Sequence, residues 1–190
     1  PRTGLFQTTG IQPIIMTPPP LGLYLHIPFC RQRCDFCAFY LEIHHESRAE
    51  TFVRPLMHEI GLSAQQHVTP NRLIQSVYFG GGTPTVLAAT QLTAILSEIR
   101  RQFTLASDCE ITVEAYPSTI SEQGLGQLLQ AGVTRMSFGA ESMEDGELSR
   151  VGRPGAVSQT ITAVTQARAA GFTNINLDVM YGLPGQSLMS

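Results

Sequence analysis

Residues 24–40 read YLHIPFCRQRCDFCAFY, and three of the chain's four cysteines, Cys30, Cys34 and Cys37, fall inside this stretch. Its first four residues close LGLYLHI (residues 21–27), an apolar-rich run of strand character, so the stretch reads as a β-strand that empties into a thiol-bearing loop. A loop can turn several thiolates toward one centre, whereas a strand would throw alternate side chains to opposite faces. The C-x3-C-x2-C spacing leaves three chemistries open. A structural zinc ion needs a fourth donor, for which His26, His44 and His45 are the nearby candidates. A redox pair of Cys34 with Cys37 leaves Cys30 without a role. An iron–sulfur cluster uses thiolates alone, and if only three of four irons are held by protein, one iron keeps an open coordination position.

Outward from the loop, strand-like and helix-like stretches alternate. The strand candidates are Leu21–Ile27, Ser76–Phe79, Glu110–Ala115, Arg135–Phe138 and Asn174–Met180. Between them apolar residues recur at helical spacing: Leu92, Ile95, Leu96 and Ile99; Leu125, Leu128 and Leu129; Ile161, Val164 and Ala167. Phe52, Leu56 and Ile60 mark a further helix after the cysteine loop, with Pro55 expected to break or kink its early part. Strands separated by helices imply a parallel α/β sheet, open or curled into a barrel. In such folds chemistry lies at the carboxyl ends of the strands. The cysteine loop, GGGTP, Glu114, GAES and Asp178 with YGLPG would then share one rim.

At 190 residues the chain reads as one domain, residues 21–190, behind a Pro/Thr/Gly-rich tail at residues 1–20. Met16 is a candidate natural start, and an ordinary extended arm explains the tail equally well. A formal charge of −3 with no basic cluster beyond Arg100–Arg101 argues against a nucleic-acid partner. No apolar run reaches the roughly 18 residues of a membrane-spanning helix. The start lacks the pattern of a secretion signal, so a cytoplasmic location is expected, where clustered thiols serve metals or redox chemistry more often than disulfides.

Several other residues stand out. Gly80–Gly82 ending in Thr83-Pro84 exceed what a tight turn needs, and no phosphate-loop pattern is present. Glu114 closes a strand in which polar and apolar residues alternate; a solvated strand face would explain it too. Asp178 sits among apolar residues in a strand expected to be central, where an unpaired carboxylate is costly and must find partners. Cys109 reads as a small buried residue.

The string YLHIPFCRQRCDFCAFY resembles the cluster motif of the radical S-adenosylmethionine (SAM) superfamily. Its flank, with SVYFGGGTPT, EITVEAYP, AGVTRMSFGAES, VGR and GFTNINLDVMYGLPGQ, resembles the oxygen-independent coproporphyrinogen III oxidase-like family, including its haem-chaperone-like branch. The resemblance covers roughly residues 21–186. It implies a partial (β/α)6 barrel of parallel strands, of which this chain would carry five as an amino-terminal portion. It implies a 4Fe-4S cluster on Cys30, Cys34 and Cys37. S-adenosylmethionine would lie against Tyr24, Phe36, Gly81, Gly82, Thr83, Glu114, Glu141, Arg153 and Asp178. It further implies a tetrapyrrole as ligand or substrate, haem or coproporphyrinogen, and an electron donor such as flavodoxin or ferredoxin.

Four departures from the family pattern qualify the carry-over. Glu141 stands where Gln is usual, Tyr116 where Asn or Asp is usual, and Pro154-Gly155 where many members have His. Phe39 occupies the position at which members that carry out the oxidase reaction have a further cysteine. That last difference favours a haem chaperone-like role over oxidative decarboxylation of propionate side chains, with enzyme activity left open.

Overall fold

The structure, a computed structural model, describes residues 19–67 and 72–187. All but the last two residues of the expected tail lie outside the described residues. Strands β1 (Leu21–Ile27), β4 (Ile74–Gly81), β5 (Leu105–Ala115), β6 (Arg135–Glu141) and β7 (Asn174–Val179) form one five-stranded sheet in that order. Every pairing is parallel. The connections run through helices α1 (Glu46–His67), α2 (Ala89–Gln102), α3 (Glu122–Gln130), and α4 (Asp145–Arg150) followed by α5 (Val157–Ala170). Parallel neighbours need such crossovers, so the sequence of alternating elements leads to a partial barrel of the expected kind.

The two faces of the sheet have opposite character because side chains alternate along each strand. Val77 and Phe79 on β4, Ile111 and Val113 on β5, and Met136 and Phe138 on β6 are buried. They join a core with Leu92, Ile95, Leu96 and Ile99 of α2 and Leu125 and Leu128 of α3. Each such side chain contributes roughly 1.5–3 kcal/mol when fully buried. Cys109 belongs to this outer, apolar face. The residues between them, Tyr78, Gly80, Thr112, Glu114, Ser137 and Gly139, point to the concave face and carry the polar chemistry.

Four local expectations are corrected. Helix α1 runs unbroken through Pro55. Pro55 and Thr51, whose carbonyl loses its helical donor, lie on the exposed side, while Phe52, Val53, Leu56, Met57, Ile60 and Ala64 pack on the core. Burial of that stripe outweighs a proline cost of about 3 kcal/mol. Helix α5 has the expected period, with Ala167 buried and Val164 packed on the core, but Ile161 turns outward. Thr160, Ala163 and Ala167 face the core and Ile161 is 56% exposed, so small residues bring the helix close to the sheet. β7 is the edge of the described sheet, and Asp178 on it is exposed, not enclosed. Cys30 is not on a loop but ends a two-residue strand.

That strand, β2 (Phe29–Cys30), pairs in parallel with β3 (Glu42–Ile43). Glu42 N donates to Pro28 O at 2.7 Å and His44 N to Cys30 O at 2.8 Å. The small ladder closes residues 31–41 into a loop anchored at both ends, which is how Cys34 and Cys37 are held near Cys30.

Candidate functional site

The cysteine loop lies over the carboxyl ends of the strands and caps a cavity of about 390 Å3. Cys30, Cys34 and Cys37 all line it; all three are free, with Cys34 buried and the other two partly exposed. Cys37 N donates to Cys34 O at 3.1 Å, a tight turn that brings the second and third thiols together. Asp35 N donates to Val151 O at 3.1 Å and Gln32 Nε2 to Gly152 O at 3.3 Å, tying the loop to the end of α4. Burial above all holds the Cys30 thiol pKa above its ordinary value, with the Thr83 hydroxyl and Arg153 acting the other way.

The glycine run packs against this loop. Gly82 N donates to Ile27 O at 2.8 Å and Thr83 N to Phe29 O at 2.7 Å. A Cβ on Gly81, whose φ is +112°, would meet His26 Nδ1 at 2.6 Å, and one on Gly82 would meet the carbonyl oxygen of Phe29 at 2.6 Å. The missing side chains therefore let β4 close against β1 and β2, beneath Cys30. Gly81, Gly82 and Thr83 also line the cavity.

Glu114 lies at the centre of the concave face. Its Oε1 accepts from the Tyr78 hydroxyl at 2.7 Å and its Oε2 from Gly81 N at 3.2 Å. Burial, foremost, raises its pKa above the ordinary carboxyl value, and those two donors oppose the rise. The same pairing, after burial, pushes the Tyr78 phenol upward. Asp178 Oδ2 accepts from the Ser137 hydroxyl at 3.3 Å and Oδ1 from Asn176 Nδ2 at 2.8 Å, so this carboxylate has its partners while lining the same cavity.

Arg153 and Glu141 line the cavity as a pair. Arg153 Nη2 lies 3.3 Å from Glu141 Oε1, and each side chain is 14% exposed. Glu141 has a φ of 64°, the one left-handed non-glycine among the described residues, at the point where β6 ends. Such a conformation is costly and persists only where its surroundings hold it; Met180 N donates to its carbonyl at 2.8 Å. Burial raises the Glu141 carboxyl pKa, with Arg153 pulling it down. The Arg153 guanidinium also stacks 4.5 Å above the Tyr116 ring.

Eleven of the twelve site residues expected from the sequence, Phe36 among them, thus line one cavity, and Tyr24 does not. Tyr24 is 61% exposed, stacks on Tyr78 with centroids 6.0 Å apart, and does not line the cavity. Tyr78 itself escaped the sequence reading, although its position two before Gly80 puts it on the concave face. Tyr116, noted only as a departure, is the platform for Arg153. In the YGLPGQ segment, Gln186 Oε1 accepts from Gly182 N at 2.6 Å and Leu183 N at 3.2 Å, which fixes the turn after β7.

The donor set suits a thiolate-held cluster. A zinc ion needs four donors at about 2.0–2.3 Å, and among the described residues no three His, Cys, Asp or Glu side chains gather around one point in that way. In a cluster each thiolate serves a different iron, so three thiols that line one cavity without converging on a single point fit it. The buried Arg153 Nε has no hydrogen-bond partner, which leaves a donor for an acceptor group in the cavity.

A parallel partial barrel with three thiols and a glycine-lined pocket at its strand ends defines the class of radical SAM proteins. The chain belongs to the Radical SAM superfamily, whose model matches residues 24–189. It is similar to the heme chaperone HemW of Haemophilus influenzae, 34% identical over 173 residues that make up 90% of this chain and 45% of that protein. It is also 35% identical to the anaerobilin synthase of Escherichia coli O157:H7, over 86% of this chain and 37% of that one. Among solved structures, coproporphyrinogen III oxidase (HemN) from Escherichia coli superposes with a TM-score of 0.80 at 32% identity, over 88% of this chain and 38% of that one. The chain spans less than half the length of these relatives. Among the described residues no helix is long and apolar enough to cross a membrane.

Proposed function

We propose that this chain is the cluster- and cosubstrate-binding part of a radical SAM protein of haem or porphyrin metabolism, most similar in role to a haem chaperone. Cys30, Cys34 and Cys37 would hold a 4Fe-4S cluster. Gly81–Thr83, Glu114, Glu141, Arg153 and Asp178, with Phe36, would hold S-adenosylmethionine. The observation that carries this reading is the convergence of three unpaired thiols with the Arg153–Glu141 pair and the Glu114 carboxylate on one cavity. Carboxylates suit the amino and sulfonium cations of the cosubstrate, and a guanidinium suits its carboxylate. When bound, the cluster supplies the electron for reductive cleavage of the sulfonium, yielding methionine and a 5′-deoxyadenosyl radical. The protein's own part is to orient the cosubstrate, to neutralise its charges and to keep water out of a site capped by the cysteine loop. The electron would come from a donor such as flavodoxin or ferredoxin.

Phe39, which lines the cavity and is exposed, stands where members that carry out the oxidase reaction have a further cysteine, and this supports the chaperone reading over the decarboxylase reading. The likeness to coproporphyrinogen III oxidase and anaerobilin synthase supports a second one, in which a tetrapyrrole is the substrate of the radical. Anaerobic incubation of the cluster-loaded protein with reductant, S-adenosylmethionine and either haem or coproporphyrinogen III separates the two. A stable haem complex with no change in the porphyrin's mass favours the carrier. A decarboxylated or ring-opened product favours the enzyme, and neither result would count against both.

A further inference from the structure

Two of the three cluster thiols each face a hydrogen-bond donor that the fold has set aside for them. Thr83 Oγ1 lies 3.5 Å from Cys30 Sγ. Thr83 precedes a 3-10 turn at Pro84–Val86, a position where a threonine hydroxyl commonly accepts from the backbone, yet here it makes no capping bond. Its backbone is pinned by the 2.7 Å bond to Phe29 O, one residue before Cys30. Arg153 Nη1 lies 3.6 Å from Cys34 Sγ. On the same guanidinium Nη2 donates to Gly139 O at 2.5 Å and meets Glu141, and one face rests on Tyr116, while Nε stays without a partner. Gly139 makes the room, since a Cβ there would come within 2.6 Å of Arg153 Nη2. Among the described residues no side chain donates to Cys37.

We infer that Thr83 and Arg153 are positioning residues that set the reduction potential of the cluster by donating hydrogen bonds to the Cys30 and Cys34 thiolates, with Glu141 and Tyr116 holding Arg153 in place. The inference rests on the cluster reading above. Reduction adds an electron to a cluster whose thiolates are already electron-rich. A donor on a thiolate withdraws density and stabilises the reduced state, so it raises the potential. A cation at the same distance acts in the same direction, strongly where water is scarce. The Glu141 carboxylate offsets that cation. Thr83 and Arg153 therefore raise the potential and Glu141 lowers it, an opposition of sign that a loss of packing would not produce.

The test is a potentiometric titration of the reconstituted protein without cosubstrate, followed by the paramagnetic signal of the reduced cluster, with iron and sulfide counted in each sample. Thr83→Val should make the cluster several-fold harder to reduce, and Arg153→Met about tenfold, equivalent to 59 mV for one electron. Glu141→Gln should shift the equilibrium the other way. Clusters assembled in all proteins with reduction equilibria within twofold of one another would overturn the inference, as would Glu141→Gln moving with Arg153→Met. If Arg153→Met fails to assemble, the Thr83→Val and Glu141→Gln signs decide alone. Absence of a cluster in the unmodified protein would contradict the underlying reading, whereas unchanged potentials in loaded proteins contradict only this one.

Discussion

The Tyr78 hydroxyl donates a 2.7 Å hydrogen bond to Glu114 Oε1 from the neighbouring parallel strand, so the carboxylate at the centre of the concave face is aimed before any ligand arrives. Tyr78→Phe removes that donor and keeps the ring. Stability should fall by about 1 kcal/mol, the usual net worth of one such bond. The Glu114 pKa should rise further, because the lost bond is one of the influences holding it down. Denaturant titration and carboxyl NMR read the two effects, and a variant that changes neither would show the contact to be idle.

Glu114 also gives the apo protein a defined pH dependence. Its folded pKa is raised above the ordinary 4.5, burial being the main cause. Between the unfolded and the folded pKa the native state thus holds more of this proton than the unfolded chain does. The stability it contributes is fully present below the unfolded pKa and is lost as pH rises through the folded pKa. Relative to Glu114→Gln, the unmodified protein should lose stability from about pH 4.5 upward; a difference independent of pH would contradict the assignment.

Gly82 and Gly126 should respond oppositely to alanine. At Gly82 a Cβ meets the Phe29 carbonyl at 2.6 Å, backbone against backbone, so Gly82→Ala should cost about 1–3 kcal/mol and displace Cys30. At Gly126, inside α3, nothing lies within 4 Å, and Gly126→Ala should stabilise by roughly 0.5–1 kcal/mol. Thermal unfolding of the two variants side by side checks the contrast, and a shared sign would refute it.

Cysteine replacement separates ligand from core. Cys34→Ala should reduce bound iron to background, whereas Cys109→Ala, on the outer face of β5, should retain it with only a modest loss of stability. Equal loss of iron in both would overturn the ligand set.

Much of this was legible in the sequence, for physical reasons. Strand order and parallel pairing follow from apolar runs separated by helical periods, and all five strands lie where those runs fall. Boundaries extended by a few residues because β4 and β6 continue through Gly80, Gly81 and Gly139, which carry no apolar signal. Ile161 of α5 turns outward while Thr160 and Ala163 are buried, because small residues pack where the sheet comes close, and the sequence does not reveal that closeness. Asp178 was assigned to a central strand because neighbours along a chain do not reveal which strand is an edge. Eleven of the twelve residues that the family resemblance implied line one cavity, whereas the bonds among them have no signal in the sequence. Tyr78–Glu114 joins residues 36 apart and Arg153–Cys34 joins residues 119 apart, and no local pattern specifies such pairs.

The central claim is an incompletely ligated cluster beside a pocket for a sulfonium nucleotide. Anaerobic reconstitution with iron and sulfide, followed by paramagnetic resonance of the reduced protein with and without S-adenosylmethionine, tests it most directly. The account predicts about four irons per chain and a signal that shifts on addition, as the open iron gains new ligands. A colourless protein carrying a single zinc ion, or a cluster whose spectrum ignores the cosubstrate, would contradict it.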